Sequence, residues 1–576
     1  MNMNIKTKSD EDLRLQLRQM IKPSMGVYQN VIVATVFINI FTFILPLISM
    51  SVYQKVLPAS ASATLIALTI GVTVIIVFDW FFNHYRSQRI LAAQTDVDIH
   101  IAKQIYERVA FMKLDGRVMN GSALLTTVRD FDQVRSSLAS GMIGILVDLP
   151  FLALFVVFLI MVSPLIGVVS LAGCGIILAS GYFNSKESER LHGVLGKISG
   201  ERHAILLSTV RDFVQIRSSG WIDHMVGKHT PVAENIALAN AHMNRSGQNA
   251  AGITKTLVQA VQTLTTLTGA WAVIHGQISM PALIGLSMLA ARTAGIAGQI
   301  AGVFPRWVMA QKSLKAVEEA LNLPQEKVPG QTYITDIPKI ADLAFEGMQF
   351  TYPEMPVPAI AEISMVIPQG KTVLVMGASG SGKTTLLKLA MGLLPPTQGY
   401  VRYGQVDLSY IDPESYRGIY SSVLAEPVLY GETLAEWFSA GMGEHALDQA
   451  KTMLVDLGFG AVIKQHPAGI HRPLDNGGQG FSIGQKKAVA LTRALIQKRG
   501  LLVLDEPTEG MDKETRQRIV QAIREHGKGR TVVIASHDEL ALQIADYIAI
   551  MGSGRLLAFD TAQKVMTAIS SGAQPR

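Results

Sequence analysis

Cysteine is almost absent from this chain of 576 residues, Cys174 being the only one. Neither an internal disulfide nor a cysteine-based metal site can therefore form. Cys174 lies in an apolar run and reads as a small packing residue. Charge is scarce as well: 17% of residues are charged against 49% hydrophobic, and the mean hydropathy is positive. That balance is too apolar for an ordinary soluble protein, so part of the chain is expected in lipid. Met1–Met20 carry charge throughout and lack an apolar h-region before a cleavage site, so no signal peptide is visible and the first membrane helix must carry targeting information. The charge present leans positive, with a net +6 and a pI near 9.1. Such an excess fits either nucleic-acid binding or the basic cytoplasmic loops of a membrane protein. The apolar content favours the second, and no nucleic-acid partner is expected.

An apolar window of about 19 residues picks out Val31–Met50, Ala63–Phe82, Gly141–Val162, Leu165–Phe183, Thr256–Ile274 and Leu283–Val303 as candidate spans. The first four are nearly free of charge and long enough for a hydrocarbon core of about 30 Å. The fifth is rich in Thr and Gln and the sixth contains Arg292, so these two also admit a reading as buried helices of a soluble domain. Ala290, Ala291, Ala294, Gly295 and Gly298 suit close helix packing around a central pathway, with Arg292 facing that pathway or a neighbouring helix. Loops Ser163–Pro164 and His275–Ala282 carry no Lys or Arg and Ser51–Ser62 only Lys55, whereas Asn83–Ser140 and Asn184–Lys255 are rich in both. The short loops are expected outside, and the long segments and both termini in the cytoplasm of a multi-pass protein. Apolar residues at helical spacing through Ile101–Met112 and Ala204–Ile216 predict membrane helices extended far into the cytoplasm.

Those extensions contain an internal echo, Thr127–Ser137 against Thr209–Ser219, which differs only at Asp132/Val214 and Val134/Ile216. Val128, Phe131 and Val134 would share one helical face flanked by Arg129 and Arg135. Either the echo is an old duplication without present purpose, or both copies sit at equivalent places and help transmit nucleotide state.

After Val303 the chain turns soluble in character, passes the Pro-containing linker Leu323–Pro338, and starts a new domain near Ile340. Strand-like Thr372–Met376 leads into Gly377-Ala-Ser-Gly-Ser-Gly-Lys-Thr384 and helix-like Thr385–Leu394. This is a P-loop in its required context. Gly377, Ala378, Ser379, Gly380, Ser381 and Gly382 let backbone N–H groups wrap phosphate oxygens, Lys383 reaches the β and γ phosphates, and Thr384, with Thr385 beside it, supplies a hydroxyl to magnesium. An apolar strand at Gly500–Leu504 ends in Asp505-Glu506-Pro507, placing carboxylates at the C-terminal edge of a parallel sheet. Asp505 suits magnesium through water and Glu506 the base that polarises attacking water. A third strand, Thr531–Ala535, ends in Ser536-His537-Asp538, where His537 would contact the γ-phosphate rather than serve as a structural histidine.

With these residues assembled, nearly the whole chain resembles the ATP-binding cassette (ABC) family. Phe481-Ser-Ile-Gly-Gln485 looks like the family's LSGGQ signature, with Ser482, Gly484 and Gln485 matching, Phe481 in place of Leu and Ile483 in place of the first Gly. The resemblance implies that this motif closes over ATP held by a partner subunit, so that two copies are needed. Tyr352 matches the residue that stacks on adenine, and Asp512 the dimer-contacting aspartate. Ala425 replaces the usual Gln that senses magnesium and the membrane domain, and Asn476 stands where exporters place Glu. These departures put coupling and signature-side function in question.

Val52-Tyr-Gln-Lys-Val-Leu-Pro58 and Val147-Asp-Leu-Pro-Phe151 resemble sequences of type I secretion transporters, which export proteins such as RTX toxins and adhesins from the bacterial inner membrane. Only about 30 residues precede the first span, too few for the peptidase domain often found there, so leader cleavage is not expected. The implied fold is an α-helical six-span transmembrane domain fused to an α/β P-loop nucleotide-binding domain. Expected boundaries are 1–29 for the N-terminal segment, 30–310 for the membrane domain, 311–339 for the linker and 340–576 for the cassette. The implied function is ATP-driven export by a homodimer in membrane lipid, using ATP and Mg2+, with a periplasmic adaptor, an outer-membrane channel and an exported polypeptide as partners. A lipid, peptide or drug exporter would share every nucleotide motif. A regulatory half of a heterodimer also fits Ala425 and Ile483, and a soluble DNA-associated ATPase conflicts with the spans.

Overall fold

A computed structural model of the protein describes residues 25–114, 142–321, 324–328, 330–353, 355–475 and 477–570. The chain divides into two compact units, Met1–Ala110 with Met119–Leu323, and Phe111–Val118 with Pro324–Arg576. The described part of the first unit is helical: α1 Met25–Ser51, α2 Ser62–Ala110, α3 Met142–Val162, α4 Pro164–Arg211, α5 Phe213–Ser218, α6 Ile222–Ile274 and α7 Met280–Leu321. Uninterrupted apolar runs take this form because lipid offers no partner for an open backbone N–H or C=O, and a helix closes every bond within itself. Five of these helices, α1, α2, α4, α6 and α7, are long and apolar enough to cross a membrane. The third expected span falls on α3, whose apolar stretch Asp148–Val162 is shorter.

Helices α2, α4 and α6 run 49, 48 and 53 residues. At 1.5 Å per residue each is roughly 75 Å long, far beyond a hydrocarbon core of about 30 Å. The expected extensions are therefore continuous with the membrane helices. The first copy of the TVRDF echo lies outside the described residues. The second breaks helix at Asp212, and its Val210, Phe213 and Val214 are exposed. At the other end of the unit, the expected outward loop is a wound corner: Val52–Val56 forms a π-helical turn in which the Leu57 amide donates to Val52 O at 3.0 Å.

Helix α7 sorts its small residues onto two faces. Ala290, Ala294, Ala297 and Ala301 are buried, recurring at helical spacing. Ala294, Ala297 and Ala301 pack with Cys174, Ile177 and Val261 of α4 and α6, where Cys174 takes the packing role its setting implied. The approach is close: a Cβ on Gly181 of α4 would stand 2.7 Å from the Ala301 Cα. Ala291, Arg292 and Gly295 lie on a different face, lining a cavity.

The second unit holds two sheets. Strands β1 Leu343–Phe350, β2 Ile360–Ile367, β4 Gln398–Tyr403 and β5 Val406–Asp407 form an antiparallel sheet in the order β2-β1-β4-β5. Strands β3 Thr372–Gly377, β6 Tyr420–Val423, β7 Leu501–Asp505, β8 Thr531–Ala535, β9 Tyr547–Gly552 and β10 Arg555–Thr561 form the larger sheet, in the order β10-β9-β3-β8-β7-β6. It is parallel apart from β10. Every residue of β7 and β8 is buried, as their continuous apolar runs require of strands covered on both faces. The helices used below are α8 Lys383–Ala390, α9 Pro413–Ile419, α10 Leu434–Ser439, α11 His445–Asp456, α12 Ile483–Ile496 and α13 Lys513–His526.

The stretch expected as linker is joined to this unit from Pro324 onward. Met112 pairs with Gln325, the Lys113 amide donates to Pro324 O at 2.8 Å, and the Glu326 amide donates to Phe111 O at 3.0 Å. Glu326 then pairs with Arg417, and Lys327 with Asp412 at 2.7 Å and Glu414 at 3.2 Å.

Candidate functional site

The P-loop leaves the end of β3 at Gly377 and enters α8 at Lys383, with Gly377, Gly380 and Gly382 at φ of 157°, 80° and 99°. Positive φ is one reason for glycine here; space is another. A Cβ on Gly377 would lie 2.4 Å from Met551 O, and one on Gly382 would lie 2.8 Å from Ala359 O. The loop is thus pressed onto its neighbours as a backbone cradle. Inside it, Lys383 Nζ donates to Gly377 O at 2.8 Å and to Ala378 O at 3.1 Å. The Ser381 hydroxyl is buried without a hydrogen-bond partner among the described residues, a polar group placed to meet a ligand. These features fit a phosphate chain. Tyr352 packs edge-on against Phe350, with ring centroids 4.9 Å apart, and its hydroxyl lies 3.2 Å from Thr385 Oγ1. The aromatic residue expected to stack on adenine is thereby tied to the start of α8.

Thr384 Oγ1 donates to Asp505 Oδ2 at 2.8 Å. Asp505 ends β7 and is 1% exposed. Burial pushes its carboxyl pKa up, against the Thr384 hydrogen bond that lowers it. A hydroxyl beside a carboxylate is the all-oxygen set that suits Mg2+, and a cation there would hold Asp505 ionised.

The next residue, Glu506, has φ 45°, left-handed backbone that a side chain other than glycine adopts at a cost. Three contacts hold its amide and carboxylate. Its amide donates to Ala535 O at 2.8 Å, its Oε2 lies 3.0 Å from His537 Nδ1, and Ser536 Oγ donates to the same oxygen at 3.3 Å. Because Asp505 pairs with Ala535 in register between β7 and β8, the ends of two adjacent strands deliver Asp505, Glu506 and His537 to one sheet edge. Sequence reasoning named these residues together with Lys383 and Thr384, and hydrogen bonds and strand pairing gather them.

The signature segment is built separately. Ser482 caps α12, its hydroxyl accepting from the Gln485 amide at 3.2 Å, while Gln485 Oε1 accepts from the Ser482 amide at 2.9 Å. This reciprocal capping box spends both polar side chains on the helix start. Phe481 is buried under the Arg472 guanidinium, 3.9 Å from the ring centroid. Ile483, by contrast, is 68% exposed at the position of the replaced glycine. Gly484 faces Met511 and Gly510. Asp512 caps α13 through the Thr515 amide at 2.9 Å and its hydroxyl at 2.7 Å. Ala425 follows β6 half-buried, and Asn476 lies outside the described residues.

Lys487, Glu509, Thr508, Ser536 and Asp538 were given no role by the sequence reading. Lys487 of α12 is fully buried, and its Nζ donates to Glu506 O at 2.9 Å and to Glu509 Oε2 at 2.8 Å. Thr508 Oγ1 donates to Asp538 Oδ2 at 2.9 Å, and Ser536 joins the Glu506 carboxylate. The available signal was a lysine set ahead of the unbroken apolar run Ala488–Leu491, since a charge within a buried face needs a fixed partner.

The ABC transporter family matches residues 360–509. Over nearly its whole length the chain is similar to the type I secretion system ATP-binding protein PrsD of Rhizobium meliloti, with 26% identity over 554 residues, covering 95% of this chain and 93% of that protein. It is also similar to the alpha-hemolysin translocation ATP-binding protein HlyB of Escherichia coli, with 25% identity over 543 residues, covering 92% and 75%. The toxin RTX-I translocation ATP-binding protein of Actinobacillus pleuropneumoniae is 23% identical over 537 residues, covering 92% and 75%. Among solved structures, a bacterial Atm1-family ABC exporter with ATP bound matches at a TM-score of 0.80 and 15% identity, covering 96% of this chain and 97% of that one.

Proposed function

From a chain that belongs to the ATP-binding cassette exporters of the type I secretion kind, we propose a polypeptide-exporting ATPase of the bacterial inner membrane that works as a dimer. The second unit binds ATP, and the first is a multi-pass membrane domain. In this reading the P-loop amides and Lys383 bind the phosphates, Tyr352 meets adenine, and Thr384 and Asp505 hold Mg2+. When bound, Mg2+ draws charge off the phosphate oxygens. Glu506 accepts the proton of the attacking water, and His537, 3.0 Å away, orients its carboxylate. Ser482, Gly484 and Gln485 cover the nucleotide of the second copy, which makes the dimer the working unit. Both termini lie in the cytoplasm. A periplasmic adaptor and an outer-membrane channel complete the route, in keeping with the secretion roles named for the relatives above.

The observation that carries the ATPase reading is the Glu506 carboxylate fixed between His537 and Ser536 beside the Asp505–Thr384 pair. Its test is magnesium-dependent ATPase activity of the full chain in lipid nanodiscs. Glu506→Gln is expected to cut kcat by at least about 100-fold, the scale of a positioned acid–base group, while ATP binding persists. Unchanged turnover would remove Glu506 from the mechanism. A second reading, an unlike catalytic partner, is favoured by exposed Ile483. It wins if the chain alone binds ATP without hydrolysing it and Ile483→Gly restores turnover.

A further inference from the structure

A cavity inside the membrane unit takes no part in ATP hydrolysis. It has a volume of 560 Å³ and is lined from α1, α2, α3, α6 and α7, within the ~300–1,000 Å³ of ligand-binding pockets. Its wall is polar. Arg86 of α2 donates to Asn83 Oδ1 at 3.2 Å, and Arg292 of α7 donates to Thr42 Oγ1 at 3.3 Å. Both guanidiniums therefore rest on neutral oxygens, and neither has a carboxylate partner among the described residues. Asp148, the acid of the Asp-Leu-Pro-Phe sequence, already accepts from Asn39 Nδ2 at 2.8 Å, and Asn39 is buried. Gln262 and Gln299 add two further amides.

Asn39, Gln262 and Arg292 each stand about 18 Å along their helices from the ends at Ser51, Ile274 and Met280, at 1.5 Å per residue. That depth lies within a hydrocarbon core of about 30 Å. An arginine such as Arg292, without a carboxylate partner among the described residues at such a depth, is expensive and marks a functional site. The guanidinium fork matches a carboxylate or phosphate oxygen pair. Side-chain amides donate and accept at once, as an extended peptide backbone requires.

We propose that this cavity is a carboxylate-reading station on the polypeptide route, in which Arg86 and Arg292 take acidic side chains of an extended segment while Gln262 and Gln299 meet its backbone. The assignment rests on the polypeptide-export reading and adds to it a preference for acidic sequence. Asp148, fixed by Asn39, sets the limit of that preference by repelling carboxylates from its own side of the cavity.

The test uses the full chain in nanodiscs of neutral lipid and two labelled unstructured peptides, one Glu-rich and one with Gln at every Glu position, with binding read by fluorescence anisotropy. The Glu peptide is expected to bind about tenfold more tightly, the scale of one or two charge-assisted hydrogen bonds. Arg86→Gln combined with Arg292→Gln should abolish the difference. Arg292→Lys should keep part of it, and ATP binding checks that each variant is folded. Equal affinity for the two peptides, or discrimination that survives the double substitution, overturns the proposal. So does loss of discrimination in nanodiscs of anionic lipid, which would give the arginines to headgroup phosphate. If neither peptide binds, polypeptide export fails and this site fails with it; binding without charge discrimination sinks the site alone.

Discussion

Glu506, the base of the proposed mechanism, is held by groups no motif names. Its left-handed backbone costs about 1 kcal/mol or more, and it persists because its amide, carbonyl and carboxylate are all engaged. The carbonyl contact comes from Lys487, whose buried ammonium is matched by Glu509. The Lys487 hydrogen bond and charge hold the Glu509 carboxyl below its ordinary range. A depressed carboxylate contributes stability above its unfolded pKa and loses it as the pH falls through the folded one, so this clamp is full at neutral pH and fails only in acid. Lys487→Met should lower kcat for ATP hydrolysis by about tenfold with KM for ATP nearly unchanged, because the base is misplaced while the P-loop is intact. Glu509→Gln should cost less, since Lys487 keeps its bond to Glu506. Steady-state kinetics of both variants check this, and an unaltered kcat in Lys487→Met would remove Lys487 from the positioning of Glu506. The P-loop, Asp505, Glu506 and His537 were legible in the sequence because each is a short run at the end of an apolar strand. Lys487 was not, because its partners lie 19 and 22 positions away and meet it only through the packing of α12 on the sheet.

Among the elements, α7 carries the most information per residue. Hydropathy found it as a weak span and flagged its small residues, but periodicity alone could not say which face they served. Ala294 is fully buried against Cys174, Ile177 and Val261, whereas Ala291, three residues earlier, lines the cavity. Adding volume should therefore act in opposite ways at the two positions. Ala294→Leu forces side chains into an occupied interface and should destabilise the membrane unit by about 1–3 kcal/mol. Ala291→Leu has space to enter and should leave thermal stability within about 0.5 kcal/mol. Thermal unfolding of the two variants in the same detergent makes the comparison, and equal losses would show that the two faces do not differ. The long helices α2, α4 and α6 were legible from the apolar repeat that continues past the spans. The break at Asp212 was not, since that repeat runs on through Ile216 without a glycine or proline.

At the scale of the whole molecule, composition separates an oily half from a soluble half, yet the extent of the second unit is set by tertiary contacts within it. A change in residue type suggests a start near Ile340, whereas the main segment of the cassette unit begins at Pro324. The intervening chain is fastened by Glu326–Arg417, by Lys327 with Asp412 and Glu414, and by two backbone bonds, Ile334 N to Tyr410 O and Asp412 N to Ile334 O. Those partners stand far along the sequence, so no local signal announces them. A fragment starting at Pro324 should accordingly be more stable than one starting at Ile340, by about 1–2 kcal/mol from modest ion pairs and hydrogen bonds. The difference should also depend on pH. Burial pushes the Asp412 carboxyl up, but the Lys327 hydrogen bond and the Ser415 amide and hydroxyl hold it below its ordinary range. The Asp412 hydrogen bond in turn raises Lys327. The depressed acid gives stability above its unfolded pKa and loses it as the pH falls through the folded value. The raised lysine gives stability below its unfolded pKa and loses it as the pH rises through the folded value. The longer fragment's advantage should thus be greatest across the neutral range and shrink at both extremes. Urea unfolding of the two fragments at acidic, neutral and alkaline pH reads it directly. Equal midpoints at neutral pH would mean that the segment from Pro324 to Lys339 is carried by the cassette without stabilising it, and would return the domain boundary to the change in composition.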